Sequence, residues 1–210
     1  MSATESLSRF LPVQPGYDAG TLILKGAHVT LRRPSMSDAD AVTKRMSDFE
    51  VCKNLSRAPW PYTYSDAEGW LAGIEGGAGV RSAYPFAIVT GGEMVGTVGL
   101  SVNPQNPDSI ELGYWIGRES WGKGYASEAA RLALEFAFGP LGLEAIEAGH
   151  FADNAASGRV LEKLGFVYTE NVARYSKARD CDVDCRMMIL PRSTFVAIEN
   201  DSEGGTDNGG

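Results

Sequence analysis

A chain of 210 residues, 43% hydrophobic and 22% charged, holds enough apolar material for one sizeable core. Its formal charge of -8 speaks against a nucleic-acid surface, which needs a basic face. No apolar run approaches the roughly 18 residues that cross a bilayer, the N-terminus lacks the basic-then-apolar order of a signal peptide, and three cysteines make neither an even disulfide framework nor a four-ligand metal cluster.

The first 20 residues, with Pro12, Pro15, Gly16 and Gly20, read as a flexible arm. Residues 21–195 read as a single domain, and 196–210 (AIENDSEGGTDNGG from Ala197 on) as a disordered acidic tail. The domain opens with two short β-rich runs in TLILKGAHVTLRRP, joined at Lys25-Gly26. A helix follows to about Met46, with Ser37 as its N-cap. Pro59 and Pro61 keep NLSRAPWPYTYS irregular, and Ser65-x-x-Glu68 then signals a capping box before a helix carrying Trp70, Leu71 and Ile74. A glycine run from Gly73 to Gly79 ends it.

Tyr84–Val89 and Met94–Val102 form a predicted hairpin at Gly91-Gly92; NPQNPD is a turn, and IELGYWIG from Ile110 is the next strand. Ala129, Leu132, Ala133, Phe136 and Ala137 recur at helical spacing until Gly139-Pro140 stops them. LEAIEAGHF is strand-like, Asn154–Leu164 is a helix capped by Asn154 with Gly165 beyond its end, and Phe166–Tyr168 and Cys185–Leu190 are the last strands. This order makes an α/β (α+β) domain on a mainly antiparallel sheet, not a doubly wound parallel one.

GRESWGKGYA lies between a strand and a helix and nearly matches two phosphate-binding patterns. Gly117-x-x-x-x-Gly122-Lys123 lacks the Ser or Thr that a P-loop uses to hold magnesium. Gly122-x-Gly124 lacks the third glycine of a Rossmann fingerprint, and hairpins precede it where a first βαβ unit is required. Two glycines and Ala126 still leave the amides of residues 122–127 at a helix start, where the helix dipole favours an anion. Lys123 or Arg118 can add a charge at the rim. A diphosphate without metal fits, as does a strand-to-helix turn with no ligand.

The succession IELGYWIGRESWGKGYASEAARLALEFAF, then LEAIEAGHFADNAASGRVLEKLGF, resembles the acetyl-CoA-binding core of the GNAT superfamily of N-acetyltransferases. More narrowly, it is similar to the branch containing the Rim-type ribosomal-protein N-terminal acetyltransferases. Trp121-Gly122-Lys123-Gly124-Tyr125-Ala126 matches the family's Gln/Arg-x-x-Gly-x-Gly/Ala loop, with Trp in the first polar position. The resemblance implies a twisted sheet of about six to seven strands flanked by helices and splayed between its central strands. It implies an acyltransferase of the cytoplasm that moves acetyl from acetyl-CoA to a primary amine, on a protein N-terminus or a small molecule, with no metal, nucleic acid or membrane partner. A domain that binds acetyl-CoA without transferring it is the alternative.

Carried over residue by residue, Trp115, Ile116 and Gly117 face the pantetheine arm, Gly122, Lys123, Gly124, Tyr125, Ala126 and Ser127 cradle the diphosphate, and Asn154 contacts the cofactor, caps its helix, or does both. Glu111 stands where many members carry the general base, on one strand face with Gly113 and Trp115; a solvated carboxylate is the plain reading. Leu161 replaces the tyrosine that protonates the leaving thiolate in many members. Ser157 or solvent must then substitute, or the thiolate leaves unprotonated. His150 suits a structural or cofactor contact, and Trp60 and Tyr62 match the region that covers the acceptor. The net acidity weakly suits a cationic acceptor, and edge strands could pair in a homodimer.

Overall fold

The computed structural model describes residues 22–75, 83–103, 106 and 109–204. The N-terminal arm, the glycines at 76, 77 and 79, most of the NPQNPD turn and residues 205–210 lie outside them.

Among the described residues eight strands form one sheet in the order β1-β2-β3-β4-β5-β6-β8-β7. They are β1 (Ile23–Lys25), β2 (Thr30–Arg32), β3 (Ala83–Thr90), β4 (Glu93–Val102), β5 (Ile110–Ile116), β6 (Ala145–Phe151), β7 (Val167–Ser176) and β8 (Cys181–Pro191). Every pairing is antiparallel except β5 with β6. That parallel ladder holds only Glu111 opposite Glu147 and Leu112 opposite Ala148, after which the strands part. A splayed, mainly antiparallel sheet is therefore present, one strand wider than expected.

Six helices flank it: α1 (Ala39–Met46), α2 (Phe49–Cys52), α3 (Tyr64–Glu75), α4 (Tyr125–Phe138), α5 (Ala155–Lys163) and α6 (Arg192–Gly204). Each sheet face has its own core. Val42, Met46, Val51, Leu71 and Ile74 pack with Ala87 and Met94 on one side. Leu31, Ile88, Leu100, Leu112, Ile146 and Met188 pack with Ala133, Leu134 and Phe136 of α4 on the other. The alanines let α4 approach the sheet closely, and Phe136 meets Tyr84 and Phe86 edge-on at 5.3 and 5.8 Å. Leu134 is fully buried; replacing such a residue by Ala costs about 2–5 kcal/mol.

Local chemistry moves several expected boundaries. Ser35, not Ser37, precedes the first turn, and the Asp38 carboxylate accepts its N–H at 2.9 Å. The box that opens α3 is Thr63-x-x-Asp66, two residues upstream of the expected one: the Thr63 amide donates to Asp66 at 2.8 Å, and the Asp66 amide to Thr63 Oγ1 at 3.3 Å. α4 begins at Tyr125, with Gly124 as its cap. Residues 196–204, expected in a disordered tail, continue α6; Phe195 is buried against Phe138, and Arg131 pairs with Glu199.

Candidate active site

The parting of β5 and β6 opens a cleft of about 1540 Å³ that runs from the start of α4 to the loop before α3. At one end, a short 3-10 turn (Arg118–Ser120) leads from β5 into the loop of Trp121 to Gly124. Gly122 and Gly124 have φ of 74° and 81°, the left-handed region that costs a side-chain-bearing residue roughly 1–2 kcal/mol. A Cβ on either would meet nothing within 4 Å, so the space above them is open. The N–H groups of the first helical turn, which have no intrahelical acceptor, open onto the same end of the cleft. Backbone donors, a helix dipole and open volume thus meet the needs of a diphosphate.

The edge of β5 is less free than its sequence suggests. The Gly117 amide donates to Val95 O at 2.8 Å, and the Ile116 carbonyl accepts the Trp121 indole N–H at 2.8 Å. Trp121 therefore braces the loop from within its first position. Behind it the Arg45 side chain, 6% exposed, crosses Gly117 so closely that a Cβ there would lie 2.8 Å from Arg45 Cγ. Arg45 Nε is 3.0 Å from Glu119 Oε1 but misaligned for a hydrogen bond, so this contact acts as a charge pair only. Lys123 is exposed at the rim; Tyr125, Ala126 and Ser127 are half-buried in the first turn.

Asn154 caps α5 as expected, its Oδ1 accepting the Ser157 amide at 3.2 Å. Its Nδ2 has no protein partner among the described residues and is available to a ligand. The Ser157 hydroxyl lies 2.8 Å from Tyr114 Oη. Tyr114 had no role in the sequence reading, although it alternates with Leu112 and Ile116 on the buried face of β5, where a phenol needs a partner. Burial outweighs the Ser157 hydrogen bond and pushes its hydroxyl up to about 12. Leu161 is buried in the core and lines the cleft beneath Ser157 with a side chain that cannot donate a proton. His150 is buried too: Nδ1 meets Phe151 O at 2.9 Å and Nε2 meets Tyr168 Oη at 3.2 Å, a structural placement.

At the opposite end, Glu111 lies on the face shared with Gly113 and Trp115, and Trp115 packs toward α1 and α3. Glu111 is not solvated freely: Arg174 of β7 binds it at 2.6 and 3.3 Å. No spacing rule announces this arginine, because its partner sits on a strand 63 residues away. The two aromatic candidates separate. Tyr62 lines the cleft, with its hydroxyl pushed up to about 12 by burial and then by Asp66, whereas Trp60 turns edge-on to Phe49 at 5.3 Å and is 39% exposed.

Comparison with known proteins bears on this geometry. The acetyltransferase (GNAT) domain family matches residues 28–167. The chain belongs to that family. It is 32% identical over 170 residues, 80% of this chain and 95% of the relative, to an N-acetyltransferase of Bacillus licheniformis named p20 and called uncharacterized. A solved acetyltransferase of T. thermophilus, called putative, superposes with a TM-score of 0.72 at 25% identity, covering 88% and 96% of the two chains. Mycobacterium smegmatis RimJ, solved in complex with CoA-disulfide, shares the fold with a TM-score of 0.68 at 23% identity, covering 81% and 89%. The protein is an acetyl-CoA-dependent acetyltransferase. Among the described residues no group of three His, Cys, Asp or Glu side chains could hold a metal, and no helix is long and apolar enough to cross a membrane.

Proposed function

We propose that the enzyme acetylates a primary amine by direct attack, with the two ends of the cleft holding the two substrates. The observation that carries this reading is one continuous cleft lined by Gly122 and Gly124 at one end, Ser157 and Tyr114 at the splay, and Glu111 beyond it. Bound at the loop, acetyl-CoA supplies an activated acetyl thioester. Gly122 to Ser127 hold its diphosphate through backbone amides, Lys123 adds a charge at the rim, and Asn154 Nδ2 and the edge of Trp115 and Ile116 orient the arm. Gly117 contributes by shaping the turn, since its amide is used by Val95 O and its carbonyl already accepts the Ser120 amide at 2.9 Å.

An ammonium has no lone pair, so the acceptor must lose a proton before attack. Glu111 takes it, directly or through water, with Arg174 fixing the carboxylate. The Tyr114 hydroxyl, neutral throughout the physiological range, lies 2.8 Å from Ser157 Oγ and 3.2 Å from Ser157 O; in the arrangement in which it donates to Oγ, the serine proton is free for the departing sulfur. Tyr62 forms part of the acceptor wall, and Trp60 braces that wall through Phe49. Cys52, Cys181 and Cys185 are all free thiols, in keeping with a cytoplasmic enzyme. The edge strand β7, with Val167 and Tyr175 exposed, offers a surface for a homodimer.

Thiol release from acetyl-CoA on supply of an amine panel tests the reading. Glu111→Gln is expected to lose most of that activity between pH 6 and 9. Activity equal to wild type at every pH would remove Glu111 from the mechanism, and tight acetyl-CoA binding with no turnover on any amine would leave a binding domain only.

A further inference from the structure

Among the described residues four carboxylates line the acceptor half of the cleft; three are paired with a cation, and Asp66 is held only by Thr63 and keeps its charge. Glu50 pairs with Lys53 at 2.7 Å, Asp66 accepts the Thr63 amide at 2.8 Å, Glu111 is held by Arg174 at 2.6 Å, and Asp153 is gripped by Arg179 at 2.8 and 3.1 Å. Arg57 and Lys177 line the same half and have no carboxylate partner among the described residues. They are brought together by the turn after β7, which is strapped onto the loop after α2. Lys177 N donates to Ser56 O at 3.0 Å and Arg179 Nε to Lys53 O at 2.7 Å.

The nearby acids do not neutralise this pair. Asp180 takes the Tyr175 hydroxyl. Asp182 and Asp184 alternate with Val183 and Cys185, which pack toward Phe151 and the cleft, so their side chains fall on the other face of β8. Two more lining cations, Arg159 and Lys163, belong to α5, the helix that Asn154 caps, and add to the positive charge of the cleft. The chain carries a net charge of -8, yet among the described residues at the acceptor mouth two unpaired cations, Arg57 and Lys177, stand against one unpaired carboxylate, Asp66, and the balance is positive. The overall acidity, which suits a cationic acceptor, is therefore misleading at the site itself.

We infer that the acceptor carries an anionic group besides its amine, and that Arg57 and Lys177 receive it. The inference rests on the acetyltransferase reading of the cleft. A polycationic amine would bring like charge against both side chains, whereas a carboxylate or phosphate complements them and steers the amine inward. An acidic peptide N-terminus and a small amino acid share this chemistry.

The test measures equilibrium binding to the CoA-saturated protein of Ser-Glu-Glu-Gly-Gly-Gly, of Ser-Lys-Lys-Gly-Gly-Gly and of free aspartate, alongside acetylation of each. At low salt at least one acidic probe is expected to bind roughly five- to tenfold more tightly than the lysine peptide, the effect of two exposed charge pairs. The advantage shrinks as salt is raised, and Arg57→Glu with Lys177→Glu reverses it while acetyl-CoA binding reports an intact fold. Stronger binding of the glutamate peptide points to a polypeptide acceptor, and of aspartate to a small one. Equal or better binding of the lysine peptide, failure of both acidic probes to bind, or a preference untouched by the double variant overturns the inference. Charge-selective binding without acetylation would support it and sink the transferase reading; acetylation blind to charge would do the reverse.

Discussion

Arg174 reaches from β7 over Gly149 to hold Glu111 on β5 through both carboxylate oxygens, at 2.6 and 3.3 Å, with the two side chains 16% and 15% exposed. A carboxylate so placed has a fixed direction toward the cleft, and its charge is matched before any acceptor arrives. Arg174→Met leaves that carboxylate buried and unmatched. Unfolding free energy is expected to fall by about 2–3 kcal/mol, at or below the roughly 3–5 kcal/mol of a fully buried pair because both groups keep some solvent. Turnover is expected to fall at least as far as roughly tenfold with little change in KM for acetyl-CoA. Glu111→Gln added to Arg174→Met should recover part of the stability, which chemical denaturation of the two variants measures directly.

The loop at the start of α4 depends on backbone conformation rather than side chains. Gly124→Ala places a Cβ on a residue at φ 81°, with nothing nearby to clash but an unfavourable backbone. The loop is expected to relax out of its cradle, raising KM for acetyl-CoA roughly tenfold, the consequence of about 1.4 kcal/mol of misplaced binding. Lys123→Ala should raise it less, since its charge is exposed. Titration of each variant with acetyl-CoA gives both values.

These two sites differ in how far they can be read from sequence. The loop is legible because its chemistry is local: two glycines, a small residue and a helix start lie within six positions. Glu111 is legible by strand alternation, but Arg174 is not, since a single arginine in TENVARYS carries no periodic signal. That run is also why β7 reads as a shorter strand. Edge strand β7 is exposed along most of its length, so its sequence lacks the apolar alternation that marks a half-buried strand. Likewise α6 looks like a tail until Phe195 finds Phe138 and Glu199 finds Arg131. Tyr114 could have been found, because a phenol on the apolar face of IELGYWI must reach a polar partner.

Tyr114 and Ser157 act as one unit through their 2.8 Å hydrogen bond. Tyr114→Phe removes the hydroxyl partner of Ser157 Oγ, and Ser157→Ala removes the serine hydroxyl itself. Each is expected to lower kcat about tenfold, and the double variant to lower it little further, because the second change acts on an interaction already lost. Since burial pushes the Tyr114 hydroxyl up to about 12, activity should show no loss from its ionisation at pH 9 to 10. Additive losses in kcat, measured at saturating acetyl-CoA, would separate the two residues.

Two carboxylates that tie the first strands to the domain contribute to its behaviour in acid, beside Asp66 and Asp153, whose carboxyls Thr63 and Arg179 also hold below the usual range. Asp38 is 5% exposed; burial opposes its charge, but Arg32 at 2.6 and 2.8 Å and the Ser35 amide more than offset this and hold its carboxyl below the usual range. Glu128, in the first turn of α4, is also opposed by burial and held low by the amides of His28 and Val29 at 2.8 and 3.3 Å and by the His28 ring. A carboxyl lowered in the folded state contributes stability that is complete above its unfolded value of about 4 and is lost as pH falls through its folded value. Stability is therefore expected to drop steeply below about pH 4, with protonation of Glu135, which burial raises, opposing only part of the loss. Asp38→Asn should cost about 2 kcal/mol at pH 7 and, like Glu128→Gln, flatten the acid limb. Thermal unfolding of the three proteins from pH 7 to 3 checks this: an acid limb unchanged in both variants would place the pH sensitivity elsewhere.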